Sequence, residues 1–368
     1  MDMKKQKIAL LHLFANGDCL LATTVAKQIR NDNPNCTLEW IISKKCSSII
    51  INNPDIDIVT EIEIIEGVNI DEIFERELKL VRDKKQRGEY DQVFVTQILK
   101  DYFCFYDGIV SSSIYKSFGN PITVDTTPVL INTSDEKKNA KIFSYEKNLK
   151  KYNNIVLFEC APKSNQIHFT KEIIYNICKE ILKEKNTCII LSAPTAFNFD
   201  EDTIIDGNVL SIRETVALTH YCTLLLGCSS GITWACTSTG AKKIPQIQIL
   251  DSKAYIFNPL SINFKKQNKS TTSIIEMTKF DQKKIALCFK DIFSEGFELA
   301  RQKHNQKVKK QFKLYRGIVS NFLVKGKFSL TLKFIKMNIA ENGLNFAMLK
   351  FIILGILFIP AMFFKKES

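Results

Sequence analysis

Short apolar runs alternate with stretches of helical periodicity along most of the 368-residue chain. KIALLHLF (7–14) is the first run. A turn follows at Ala15-Asn16-Gly17-Asp18, and CLLATTVAKQIRND then repeats apolar positions at helical spacing. TLEWIIS (37–43) reads as the next strand, KKCSSIIINN as a short helix ending at Asn53-Pro54, and DIVTEIEI (57–64) as a third strand. NIDEIFERELKLVRDKKQRG carries Asp71 and Glu72 in its first turn and Gly88 at its end, which predicts a helix before the strand DQVFVTQI (91–98). A polar stretch, residues 131–153, interrupts the alternation and reads as a linker. The pattern restarts with NIVLFECAP (154–162), helix TKEIIYNICKEILKEK, strand NTCIILSA and a strand at NVLSIR. Helix RETVALTHYC, strand TLLLGCSS, helix GITWACTSTG and strand IPQIQIL complete it. Strand–helix alternation predicts parallel sheets with crossover helices, and two series with a break between them predict two lobes. The ligand crevice is then expected at the carboxyl ends of the strands. From Phe280 the pattern turns helical, as one long helix or two.

Hydrophobic residues make up 45% and charged residues 24%, the balance of a globular core rather than a disordered or collagenous chain. The net charge of +12 changes that picture only once it is located. Residues 301–368 hold 14 of the 51 Lys/Arg and two of the 39 acidic residues (Glu341, Glu367), which leaves 37 of each in positions 1–300. The body is formally neutral. Eleven basic residues and no carboxylate lie between Arg301 and Lys336. A nucleic-acid-binding core would carry its basic stripe on the folded body, so this distribution argues against nucleic acid and for an anionic membrane surface. The segment 346–364 has one Lys, one Gly and one Pro in nineteen residues, barely the roughly 20 apolar residues that a span needs. Its uncharged part, Phe351 to Phe364, suits an in-plane helix better. The domains expected are therefore 1–150, 151–300 and a basic, apolar helical tail, 301–368.

The eleven cysteines show no CxxC pair and no Cys/His cluster at metal-ligand spacing. No metal and no cofactor are expected. The N-terminus, MDMKKQKIALLHLF, lacks the apolar region and cleavage site of a signal peptide, and with reduced cysteines this points to the cytoplasm. There is no glycine-rich dinucleotide fingerprint, Walker loop or nucleophile elbow, and the four histidines have no triad context.

Asn16-Gly17-Asp18 closes the first strand and opens the first helix. A carboxylate there points into the crevice and could take a proton from an attacking hydroxyl, or it could simply cap the helix. In its wider context, NGDCLLATTVAKQIRNDNPNCTLEWIISKKCSSIIINNPDIDIV resembles the opening of glycosyltransferase family 9, the heptosyltransferases of lipopolysaccharide synthesis. The points of likeness are the Gly-Asp turn, Asn33-Pro34 at the helix end, and Asn53-Pro54-Asp55-Ile56-Asp57 before the third strand. The resemblance implies an α/β chain of the GT-B type, two Rossmann-like lobes with no metal requirement, and it assigns the catalytic base to Asp18. In the second lobe it places Lys163, Ser164 and Gln166 after the first strand, where the family binds donor phosphates. His168-Phe169-Thr170-Lys171-Glu172 stands where the family has a basic residue, Trp-Pro and Glu. An ordinary polar loop with Thr170 as helix cap is the plainer reading of that stretch.

NVLSIRETVAL resembles the family's entry to the nucleotide region, and Leu226 to Trp234 falls on its signature. There the family reads Gly-any-Asp-Ser/Thr-Gly with a His three residues on. This chain keeps Gly227, Ser230 and Gly231 but has Ser229 for the Asp and Trp234 for the His. Ser229, Ser230 and Gly231 still offer hydroxyl and N–H groups to a phosphate. Trp234 could stack on a base or sugar, or belong to the core.

The resemblance covers roughly residues 7–255 and implies transfer of a sugar from a nucleotide-sugar donor to a lipid-linked or cell-surface glycan at the cytoplasmic face of the inner membrane. Two other readings stand beside it. One is a non-catalytic nucleotide-sugar or glycan-binding protein, motivated by Ser229 and Trp234. The other is a nucleotide-sugar epimerase, which the apolar tail disfavours because its substrate and product are soluble.

Overall fold

The computed structural model describes residues 5–64, 67–163, 167–254 and 258–357. The first lobe runs β1 (Lys7–Leu11), α1 (Asn16–Asp32), β2 (Thr37–Ser43), α2 (Lys44–Ser47), β3 (Ile58–Ile62), α3 (Ile70–Gln86), β4 (Gln92–Val95) and α4 (Val110–Phe118). Its strands form a parallel four-stranded sheet in the order β3-β2-β1-β4. β1 and β2 are apolar almost throughout because helices cover both faces of the sheet, the usual condition of parallel strands.

The stretch read as a linker contains a helix, α5 (Ser134–Glu146), which opens with a reciprocal Thr133–Glu136 capping box. The second lobe follows with β5 (Asn154–Glu159), α6 (Lys171–Ile181), β6 (Thr187–Ser192), β7 (Ile204–Asp206), α7 (Ile212–Leu218) and β8 (Leu224–Gly227). It closes with α8 (Gly231–Ala235), β9 (Gln246–Ile249), α9 (Leu260–Lys266) and β10 (Ile274–Met277). These strands form a parallel six-stranded sheet ordered β10-β9-β8-β5-β6-β7. The strand expected at NVLSIR lies earlier, at β7. Residues 207–210 are a turn instead, and a Ser211–Glu214 capping box starts α7.

The helical end is more broken than the sequence suggests. α10 (Gln282–Glu295) and α11 (Phe297–His304) part at Gly296, whose φ of 91° no helix accommodates. After a non-helical stretch come α12 (Lys313–Val324), α13 (Phe328–Asn342) and α14 (Phe346–Leu357). These three helices are built into the body. Phe312, Tyr315, Phe322, Phe334, Met348 and Ile352 close a core over Cys104 and Tyr106 of the first lobe. Asn338 fastens it by donating to the Tyr106 carbonyl at 3.1 Å and accepting from the Tyr315 hydroxyl. Gly355 is needed where α14 crosses α12, since a Cβ there would lie 2.8 Å from Val319. No helix among the described residues is long and apolar enough to cross a membrane. The expected in-plane segment from Phe351 continues past residue 357 and there lies outside the described residues.

Candidate active site between the lobes

Both sheets reverse their winding at the strand that carries candidate chemistry. In the first the reversal falls between β1 and β4, and in the second between β5 and β8. Ligand crevices form at such points, just beyond the carboxyl ends of the strands. The loops leaving β1, β5 and β8 are those that hold the candidate residues.

Beyond β1 the chain turns at Ala15, a non-glycine residue at φ 68°, and α1 begins at Asn16. A backbone held there costs about 1–3 kcal/mol and persists only where its surroundings enforce it. Ala15 stands at the cap position with no side-chain cap bond, so Asp18 is not the helix cap. The Asp18 carboxyl is half-buried in the first turn, and no described donor hydrogen-bonds it. Burial, and secondarily the neighbouring Cys46 thiol, push its pKa up to about 7. At the start of the same helix the Asn16 side-chain oxygen is buried and lacks a donor among the described residues. His12, at the end of the strand, is fully buried and held to a pKa of about 3 by desolvation, so it is neutral. Its Nδ1 lies 2.9 Å from Thr96 Oγ1.

In the second lobe the turn 228–230 is organised from within. Glu159, the last residue of β5, is fully buried and accepts from the Cys228 amide (3.1 Å), the Ile232 amide (3.0 Å), Thr233 Oγ1 (2.8 Å) and the Ser230 hydroxyl. Burial outweighs these four bonds and raises its pKa. The Ser229 hydroxyl donates to the Asn258 carbonyl and its amide to Gln248 at 2.7 Å, with Ser229 itself at φ 52°. Both hydroxyls expected to face a phosphate are thus engaged inside the lobe. Gly227 has no room for a side chain, because a Cβ would fall 2.4 Å from Thr233 Oγ1. Sequence reasoning passed over Glu159. The available signal was a single carboxylate ending an otherwise apolar run, NIVLFE.

The two loops meet. A Cβ on Gly231 would lie 3.6 Å from Cβ of Asn16, and Trp234 packs against Gly17 and, at 6.5 Å between ring centroids, against Phe264. Trp234 is 3% exposed, so its ring belongs to the interface, and stacking on a ligand would require the lobes to part. Lys163 is exposed on the loop after β5. Ser164 and Gln166, predicted with it as phosphate contacts, lie outside the described residues. Thr170 caps α6 by accepting from the Ile173 amide at 3.2 Å. Arg213 ties the lobes together behind the site. It donates to Glu136 at 2.5 Å, to the Ser48 carbonyl of the first lobe at 3.0 Å and to the Ile131 carbonyl. All eleven cysteines are unpaired and buried.

No family model matches the sequence, and no curated protein matches it. Solved structures do. A glycosyl transferase family 9 protein from Veillonella parvula DSM 2008 is 14% identical, with 90% of this chain and 99% of that one covered at a TM-score of 0.56. A candidate UDP-N-acetylglucosamine 2-epimerase from Listeria monocytogenes is 10% identical, with 87% and 96% covered at 0.53. The E. coli ADP-heptose LPS heptosyltransferase II is 12% identical, with 74% and 90% covered at 0.48. At such identities the likeness bears on the fold alone, and for the first two it agrees with the two parallel sheets. The chain has the two-lobed GT-B fold found in glycosyltransferase family 9.

Proposed function

We propose that the chain is a glycosyltransferase that moves a sugar from a nucleotide-sugar donor to a lipid-linked or cell-surface glycan, with Asp18 as the catalytic base. The observation that carries this reading is the Asp18 carboxyl. It is half-buried at the winding reversal of the first sheet, has no hydrogen-bond donor among the described residues, and has a pKa raised to about 7. A base is most effective when its pKa lies near the working pH. As the acceptor hydroxyl attacks the anomeric carbon, its proton passes to Asp18. The carbon–oxygen bond to the nucleoside diphosphate breaks, and the electron pair leaves with the phosphate. The step calls on no metal. Once the lobes part, the Asn16 oxygen, buried and without a donor among the described residues, can receive a hydroxyl of a sugar beside the reacting one, next to Gly17.

Lys163, with Ser164 and Gln166, meets the donor diphosphate from the loop after β5 and offsets charge developing on the leaving group. Ser229 and Ser230 act by shaping the turn, whose Cys228, Ser229 and Ile232 amides are also held inside the lobe, so a phosphate approaches along the Gly231 backbone.

The acceptor's lipid end fits the outer face of α13 and α14, where Phe328, Leu332, Phe346, Ile353 and Leu357 are exposed among Lys325, Lys333, Lys336 and Lys350. We place this face on the anionic, cytoplasmic side of the inner membrane, as a peripheral contact.

A second reading, a non-catalytic nucleotide-sugar or glycan-binding protein, draws on the closed contact between Gly17 and Trp234. Thermal shifts with a panel of nucleotide-diphosphate sugars, followed by transfer assays with the one that binds, separate the two. Stabilisation with turnover supports the transferase, stabilisation without turnover supports the binding protein, and no stabilisation by any donor contradicts both.

A further inference from the structure

A groove of about 750 Å³ opens between the lobes on the flank of α1, away from Asp18. Tyr115, Lys116 and Ile122 wall it on the side of α4, and Lys266, Gln267 and Lys269 at the end of α9. Neither Asp18 nor Trp234 lines it. The Tyr115 hydroxyl donates to Thr24 at 3.2 Å, and Thr24 lies about 9 Å along the helix from Asp18.

The groove is short of negative charge. Lys116 is shared between Asp107 (2.5 Å) and Glu341 (2.8 Å), and Lys266 leans on the same Glu341. Lys310 stands beside that group. Lys269 has no carboxylate within ion-pair distance among the described residues. Asp125 acts on it only from further off, and Lys27 and Lys243 oppose that pull. The groove's own lining therefore carries three ammonium groups, Lys116, Lys266 and Lys269, and one carboxylate, Asp125. Burial brings the Lys269 pKa down to about 8 against the pull of Asp125, with Lys243 and Lys27 adding to the fall. Two residues before Lys269, the Gln267 side-chain nitrogen is buried with no acceptor among the described residues. A charge excess and an unmatched donor in one recess are what an anionic group would complete. The recess is larger than a lone phosphate requires, and the Tyr115 ring with Pro121 and Ile122 gives it an apolar wall of the sort sugars pack against.

We infer that this groove binds a phosphorylated saccharide, with the phosphate held by Lys269, Lys266 and the Gln267 amide and the sugar against Tyr115 and Ile122. The inference rests on the groove alone and stands whether or not Asp18 is a catalytic base.

Calorimetric titration of the full chain with a hexose 1-phosphate, and separately with inorganic phosphate at matched ionic strength, tests it. The hexose phosphate should bind more tightly than phosphate by about tenfold, and Lys269→Met should weaken it by about tenfold or more. Lys269→Arg should stay within about threefold of the parent, since it keeps the charge. Lys163→Met should leave the affinity unchanged, which separates this groove from the donor-phosphate loop. Equal binding by Lys269→Met and the parent, or equal binding of both ligands, overturns the inference. So does loss of binding in Lys163→Met alone. If Lys269→Met does not fold, Gln267→Ala takes its place, with a loss of about fivefold expected and an unchanged affinity counting against the site.

Discussion

Gly17 of the first lobe and Trp234 of the second touch: a Cβ on Gly17 would lie 3.4 Å from Cδ1 of the indole. A Cβ alone would sit at contact distance, and the two methyls of a Val at position 17 would crowd the indole and press on the contact between the lobes beside Asp18. Gly17→Val should lower kcat/KM by about 100-fold, the scale of a 1 Å misplacement, while each sheet stays folded. Trp234→Ala should instead cost about 3–5 kcal/mol of stability by emptying a buried site. Steady-state kinetics and denaturant melts distinguish the two effects, and a Gly17→Val enzyme with parental kcat/KM would show that the contact opens freely.

The strand–helix alternation was legible because parallel strands buried on both faces must be apolar runs, as KIALL and NIVLFE are. The position of Asp18 followed from the same pattern. Other features were not legible for identifiable reasons. Val209 in NVLSIR looks like strand but is exposed, and the Ser-x-x-Glu capping signal at Ser211 and Glu214 was the better guide. The basic, apolar C-terminal stretch reads as an appendage because periodicity shows that a face is apolar and not what covers it. Phe312, Tyr315 and Phe334 in fact pack on Tyr106 or on one another. Glu159 was missed because only the folded turn reveals four donors converging on it.

The raised pKa of Asp18 has a thermodynamic consequence. The unfolded chain releases this proton near the ordinary carboxylate value of 3.8, and the folded chain holds it to about 7. Between those values the native state binds more protons, so stability falls as pH rises through that window. Asp18→Asn removes the penalty. Its stability should come close to the parent's near pH 4 and exceed it by about 4 kcal/mol above pH 7. Melts across that range check this, and a constant difference between the two proteins would show that the carboxyl titrates normally.

Arg213 is buried with its guanidinium divided among Glu136, Ser48 and Ile131. Arg213→Met leaves Glu136 without its cation and should cost about 3–5 kcal/mol. Arg213→Lys should restore little, because a single ammonium cannot span donors aimed three ways. Denaturant midpoints of the three proteins provide the comparison; a stable Lys variant would reduce the residue to a simple charge.

The α13–α14 face supports a test that leaves the core intact. Phe346 is 84% exposed and Phe328 64%, so replacing both with Ser should change stability little. Co-sedimentation with vesicles rich in phosphatidylserine should fall by about tenfold or more, since two aromatic side chains leave the interface. Truncation after residue 312 is a poorer probe, because it would strip the helices that cover Tyr106. Undiminished sedimentation of the double Ser variant, or no sedimentation of the parent, would contradict the proposed membrane contact at this face.

The decisive measurement is turnover by the parent and by Asp18→Asn with the nucleotide-diphosphate sugar that stabilises the protein and a lipid-linked glycan acceptor. With Asp18 as base, the parent transfers sugar with kcat/KM rising through about pH 7. The Asn variant should bind donor equally well and lose a factor of about 10²–10⁴ in kcat. Transfer by Asp18→Asn at the parental rate would contradict that role, and the absence of transfer by the parent to any acceptor would contradict the transferase itself.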